Sequence, residues 1–230
     1  MTPNERKVLT TTSYAILGQL ALRPWTMYEL ARQMRDEIGN FFPRAESQVY
    51  AEPKRLSALG LVQSRTESTG RRRRTVYEIT EEGRQELGRW LAQEPQRGPQ
   101  LEFEGLLRTY LSSCSRPEDV YATLGAIRVQ AEQALRESDQ RRGRLRAEAQ
   151  ALDPGDERSW RELEGKLQVE EFLQDFAQLL DGWSGRCLGR YRMMSGVGDE
   201  ARRAAVLAEL NRAQRATEPG HPIAVGWARA

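Results

Sequence analysis

Four consecutive arginines, Arg71, Arg72, Arg73 and Arg74, form a dense run of positive charge in this 230-residue chain. A guanidinium stays protonated and holds phosphate oxygens in a two-pronged grip, so the run suits a polyanion. Upstream, Ser47, Gln48, Tyr50, Lys54 and Arg55 fall at spacings that line them along one helix. Gln48 offers the donor–acceptor pair that matches an adenine edge, and Lys54 or Arg55 can read guanine or hold phosphate. Ser47 and Tyr50 suit phosphate oxygens, with packing against the first helix as the alternative for Tyr50. Glu52 is expected to point away from phosphate.

Other chemistries are poorly supplied. His221 is the only histidine, and Cys114 and Cys187 are the only cysteines. No Cys/His cluster has metal-ligand spacing, so no metal is expected, and the two thiols read as buried and free in a reducing compartment. No Gly-rich phosphate loop or nucleophile motif occurs. Glu170-Glu171 reads as the solvated face of a long helix. The expectation is therefore no enzyme and no cofactor.

The elements that must position these groups are legible in order. Residues 13–21 form an apolar helix capped by Ser13 or Thr12 and ended by Arg23-Pro24. Thr26-Met27-Tyr28-Glu29 is a capping box opening a helix to about Ile38, with Gly39-Asn40 expected to close it in the left-handed conformation. A third helix spans 46–59 and is stopped by Gly60. Strands are expected at 61–66 and 73–79, with the arginines at the turn between them. Thr80 caps a fourth helix. Residues 95–100 read as a linker. Beyond it come a helix over 101–111 and a capping box at Ser115–Glu118 opening a helix over 117–150. Val120, Leu124, Ile127, Ala131, Ala134, Ser138, Leu145 and Leu152 make a coiled-coil-like seam interrupted by polar Arg141. A second long helix, 157–192, carries a broad apolar stripe that includes Leu163, Leu167, Phe172, Phe176, Leu179, Leu180 and Trp183, a width that argues for burial against several partner helices. A last helix, 199–215, precedes a loose tail.

Net charge is only +2, with 39% hydrophobic and 30% charged residues, which excludes a uniformly basic protein. Residues 1–94 hold 15 Lys+Arg against 12 Asp+Glu, and residues 95–230 hold 20 against 21, so the small basic excess is N-terminal. No apolar run approaches the length that spans a bilayer, and Met1–Glu5 begins no signal peptide, so a cytoplasmic protein without membrane association is expected.

The fold class expected is mainly α: a winged helix-turn-helix, with a three-helix core and a two-stranded β wing, followed by a long helical dimerisation domain. Its segments are 1–94, 95–195 and a C-terminal extension over 196–230. "ILGQLALRPWTMYELARQM", "SQVYAEPKRLSALGLV" and "GRRRRTVYEITEEG" resemble the opening, recognition-helix and wing segments of the PadR family of bacterial transcriptional regulators. The resemblance covers about residues 11–91. Family members often place a proline directly after the Val/Ile-Tyr pair; this chain has Ala51 there and Pro53 two residues later. Proline cannot donate to the Val49 carbonyl, so either the helix starts later or it is bent.

The resemblance implies a sequence-specific regulator, by family default a repressor, that binds double-stranded DNA as a homodimer. The third helix would enter the major groove while the wing grips backbone or minor groove. The apolar faces of the two long helices point to the same homodimer. The family also implies release by a small hydrophobic or aromatic effector, for which Trp90, Phe172, Phe176 and Trp183 are the candidates; core packing is their alternative role. The competing reading is a helical interaction or scaffold protein whose winged module binds a protein partner.

Overall fold

Thr10, rather than Thr12 or Ser13, starts the first helix in the computed structural model, which describes residues 9–69, 72–95, 98–194 and 196–216. The side chains of 68, 69, 72, 73 and 212–216 are also outside the description. The expected N-terminal start, the middle of the 95–100 linker, Ser195, His221 and the tail beyond 216 therefore lie outside the described residues.

The chain packs as two units, Met1–Gln100 and Leu101–Ala230. In the first unit, helix α1 (Thr11–Leu22) begins at a reciprocal cap between Thr10 and Ser13. The two-residue strand β1 (Trp25–Thr26) follows, and the Thr26–Glu29 capping box opens α2 (Met27–Gln33) as its sequence predicts. A π-helical turn, Met34–Ile38, extends it. Gly39 does not take the left-handed conformation expected of it; its φ is −57°. Its role is space, because a Cβ there would lie 2.4 Å from the Arg35 carbonyl oxygen.

Helix α3 (Glu46–Ala58) runs through Pro53, which is fully buried. Of the two options for this proline, a later start is not the one adopted. Gly60, at φ +75°, ends the helix, with Gly60 N–H bonded to the Ser57 carbonyl and Leu61 N–H to Leu56. This pair of bonds closes the helix end and turns the chain into β2.

Strands β2 (Val62–Thr69) and β3 (Arg72–Ile79) pair antiparallel from Val62↔Ile79 to Thr69↔Arg72. β2 runs past Thr66 to Thr69, and Arg72, expected in the turn, joins Arg73 and Arg74 in β3. The sheet also has a third strand, β1, paired through Trp25↔Tyr77 and Thr26↔Val76, giving the order β1-β3-β2. Two residues carry no readable alternation, and only the partner strand makes them a strand. Thr80 caps α4 (Glu81–Leu91) and bonds back to the Gly60 carbonyl. The core of this unit is built on Ile16, Leu17, Leu20, Leu30 and Leu56, all fully buried.

The second unit opens with α5 (Glu104–Tyr110), three residues later than expected, and a 3-10 turn over Ser112–Cys114, where the Cys114 thiol is exposed and not buried as expected. Helix α6 (Pro117–Ala151) is capped by Asp119 accepting from the Arg116 backbone N–H, not by a Ser115–Glu118 box. The Ser115 hydroxyl instead donates to the Ser112 carbonyl. Helix α7 (Glu157–Met194) returns antiparallel, as the cross-pairs Arg128–Asp181, Arg141–Glu170 and Lys166–Glu148 require. Helix α8 (Asp199–Ala216) is tied to α7 by Arg190–Glu209 at 2.8 Å.

The seam between the long helices departs from the aromatic stripe. On α7 the buried residues are Leu163, Glu170, Ala177 and Ser184, a strict seven-residue repeat. Facing them on α6 are Val120, Leu124, Ile127, Ala131 and Ser138. Four of these nine residues, Ala131, Ser138, Ala177 and Ser184, are small, while Phe172 and Leu179 stay exposed. Glu170 is not on a solvated face: its carboxylate accepts from Arg141 Nε at 2.7 Å and Nη2 at 3.2 Å. The polar interruption read in Arg141 is one half of that ion pair.

Candidate nucleic-acid interface

Amphipathicity decides how α3 is presented. Val49, Pro53 and Leu56 point into the core, which leaves Ser47, Gln48, Tyr50, Ala51 and Lys54 exposed on the opposite face. Tyr50 is 42% exposed and so is not taken up by packing against α1. Arg55 is placed differently from its neighbours. Its guanidinium turns toward α1, donating to Glu52 (Nη2–Oε1 2.7 Å, Nε–Oε2 3.0 Å) and to the Ser13 hydroxyl at 2.9 Å. Burial works to raise the Glu52 carboxyl, but hydrogen bonds from Arg55 and Ser13 outweigh it and hold the group below its ordinary value. The glutamate expected to avoid phosphate is thus occupied within the fold.

At the start of α3, Arg44 lies over the Phe42 ring at 3.6 Å and donates to the Pro43 carbonyl and the Thr12 hydroxyl. A cleft of about 310 Å³ opens here, between the π-turn of Arg35 and the first turn of α3.

On the wing, Arg71 and the side chains of Arg72 and Arg73 lie outside the described residues; the backbone register sets Arg72 opposite Thr69 and Arg73 opposite Ser68. Arg74 is exposed and donates to Glu67 at 3.2 Å. Arg65, on β2, reaches the same carboxylate at 3.1 Å. Sequence reasoning missed Arg65 as a wing cation. Its signal was the antiparallel register, in which Arg65 and Glu67 share a face with Arg74, two residues apart along a strand of period two.

The four aromatic candidates are divided between the two units. Trp90 stacks on Tyr14 with ring centroids 4.6 Å apart, inside the first unit. The Tyr14 hydroxyl donates to Glu86, and burial together with that carboxylate raises its pKa. In the second unit Trp183 packs against Val120, Leu124 and Ile127. Phe172 and Phe176 lie with near-parallel rings 6.5 Å apart, and Phe172 is 63% exposed. A cleft of about 840 Å³ in this unit is bordered instead by α5 and α6, with Phe103, Leu111, Val120 and Ile127 among its walls. Among the described residues, no group of three or more His, Cys, Asp and Glu side chains could hold a metal ion. No described helix is long and apolar enough to cross a membrane.

Comparison with known proteins places this geometry. Residues 16–89 match the model of the transcriptional regulator PadR-like family. The negative transcriptional regulator PadR of Bacillus subtilis is 34% identical over 107 residues, 46% of this chain and 59% of that protein, so the chain spans less than two-thirds of this curated relative. The crystal structure of Bacillus subtilis PadR in complex with operator DNA superposes with a TM-score of 0.67 at 21% identity, covering 79% of this chain and 99% of that one. The same regulator in complex with p-coumaric acid gives 0.63 at 21% identity, covering 80% and 99%. These superpositions establish the fold: a winged helix-turn-helix with long C-terminal helices.

Proposed function

We propose that the chain, which matches the PadR-like family of transcriptional regulators through residues 16–89, is a homodimeric, sequence-specific DNA-binding repressor of that family and not an enzyme. The observation that carries this reading is the face of α3. Ser47, Gln48, Tyr50, Ala51 and Lys54 stand clear of the core on a helix held from behind by Val49, Pro53 and Leu56. An α-helix of this kind fits the major groove, where an amide such as Gln48 can distinguish adenine. Arg74 and Arg65, with Arg71–Arg73 continuing the charge, supply grip on the neighbouring phosphates or minor groove.

A homodimer follows from what α6 and α7 leave uncovered. Val129, Leu167, Phe172, Leu179 and Met193 are exposed on helices whose mutual seam is narrow. A second copy would cover such an apolar surface and would present two reading helices to a pseudo-palindromic site. The protein acts in the cytoplasm on double-stranded DNA. A small hydrophobic or aromatic effector would release it, by binding the geometry that does not fit DNA more tightly than the one that does. The Bacillus subtilis relative is a negative regulator with structures bound to operator DNA and to p-coumaric acid, which supports repression and an effector of that type.

The test is a footprint on the DNA upstream of the chain's own gene, repeated across salt concentrations. The expected result is a protected inverted repeat, with log affinity falling by about 0.9 per neutralised phosphate for each unit of log salt. Weak binding that is indifferent to sequence would overturn the reading.

A further inference from the structure

We infer that Ser13, Glu52 and Arg55 form a clasp that sets how α3 sits on α1, so that Arg55 is a positioning residue for DNA readout and not a DNA contact. The inference rests on the DNA-binding reading above and deepens it.

The clasp is closed at every corner. The Ser13 hydroxyl donates to Glu52 Oε1 at 2.6 Å and accepts from Arg55 Nη2 at 2.9 Å and from the Thr10 backbone N–H at 2.9 Å. Glu52 accepts from Arg55 through both carboxylate oxygens. Ser13 is fully buried, and the Glu52 side chain is only 13% exposed. The cap that begins α1 is therefore continuous with the middle of α3.

Charge and backbone both favour this role. A guanidinium committed to Glu52 forms a neutral pair and adds no net positive charge for phosphate. Turning Arg55 outward would leave the shielded carboxylate unpaired, close to a polyanion. The clasp also brackets Pro53, which has no N–H to return to the Val49 carbonyl. Glu52 and Arg55 thus fasten α3 on either side of its missing hydrogen bond, next to the exposed Gln48, Ala51 and Lys54. The register of those side chains against base edges depends on the angle held there.

The test uses full-length protein and duplexes selected by the wild type from a random library, with a scrambled duplex for comparison. Fluorescence anisotropy is recorded across salt for S13A, R55K, the double variant E52Q/R55Q and K54Q. S13A and R55K remove no charge, and lysine cannot reproduce the arginine fork. Both are expected to reduce the preference for selected over scrambled duplex about tenfold, with the salt slope unchanged. E52Q/R55Q removes the neutral pair without changing net charge and is expected to keep the wild-type slope, while K54Q lowers its magnitude by about 0.9 per protomer. Full preference in R55K, or a slope lowered by about 0.9 per protomer in E52Q/R55Q, would overturn the inference. Should E52Q/R55Q prove unfolded by circular dichroism, S13A and R55K decide the matter. If the wild type enriches no sequence at all, the DNA-binding reading fails and the clasp's role in readout fails with it.

Discussion

Replacing Glu170 by glutamine is expected to cost the α6–α7 hairpin far more than an ordinary ion pair. The Glu170 and Arg141 side chains are 6% and 18% exposed, and two hydrogen bonds of 2.7 and 3.2 Å join them. An exposed pair contributes about 0–1 kcal/mol. Removing one partner of a buried pair costs about 3–5 kcal/mol, because the other charge is left without compensation. Glu137 lies 3.9 Å from Arg141 and is half exposed, so it can take over part of that charge. The lower end, about 3 kcal/mol, is therefore expected for E170Q. At a few degrees per kcal/mol for a unit of this size, the midpoint should fall by about 10 °C. The double variant R141L/E170L removes both charges and should return to within about 1 kcal/mol of wild type. Urea unfolding followed by helical circular dichroism measures both, at one fixed protein concentration because association adds to apparent stability. A loss below about 0.5 kcal/mol in E170Q, or a double variant no better than the single, would refute the reasoning.

Three further outcomes are expected. E67Q releases Arg65 and Arg74 and should tighten DNA binding a few-fold at low salt, with the gain shrinking as salt rises; unchanged or weaker binding in anisotropy would count against a phosphate role for these arginines. G83A should destabilise the first unit by about 2 kcal/mol or more in urea unfolding, since its Cβ would lie 2.2 Å from the Leu61 carbonyl oxygen; wild-type stability would show that α4 shifts freely. Hydrogen bonds from the Thr26 hydroxyl and backbone N–H hold the Glu29 carboxyl below its ordinary value, so this contribution is present above the ordinary carboxylate range and is lost as pH falls through the folded value. T26A should cost about 1 kcal/mol near neutral pH and flatten the acid side of the stability profile, which an acid titration at several urea concentrations would detect.

Local signals in the first hundred residues were readable because their causes are local. The Thr26–Glu29 box, the Thr80 cap and the Gly60 stop each depend on a few adjacent residues, and each appears where its chemistry predicts. The face of α3 was readable for the same reason, since one helical period decides which side chains the core takes. Some local readings shifted by a few residues, as when the α1 cap fell on Thr10, but the larger changes involved a distant partner. Strand β1 exists because Tyr77 and Val76 pair with it. Arg72 moved from turn to strand because β2 extends to Thr69 and pairs with it.

The second unit shows the same division more sharply. Hydrophobicity alone marks large residues as buried, and it selected Phe172 and Leu179, which α6 leaves exposed. Which line of α7 meets α6 depends on how the two helices pack together, and it runs through Leu163, Glu170, Ala177 and Ser184. The amino-acid sequence by itself determined a winged helix-turn-helix, a basic wing and two long helices, because caps, glycine stops and helical periodicity act over a few residues. Only the tertiary structure decided that Arg55 turns to Ser13 and Glu52, that Glu67 draws in Arg65 and Arg74, and that Glu170 is buried on Arg141. A charged side chain takes its role from the nearest opposite charge, and that neighbour is often dozens of residues away along the chain.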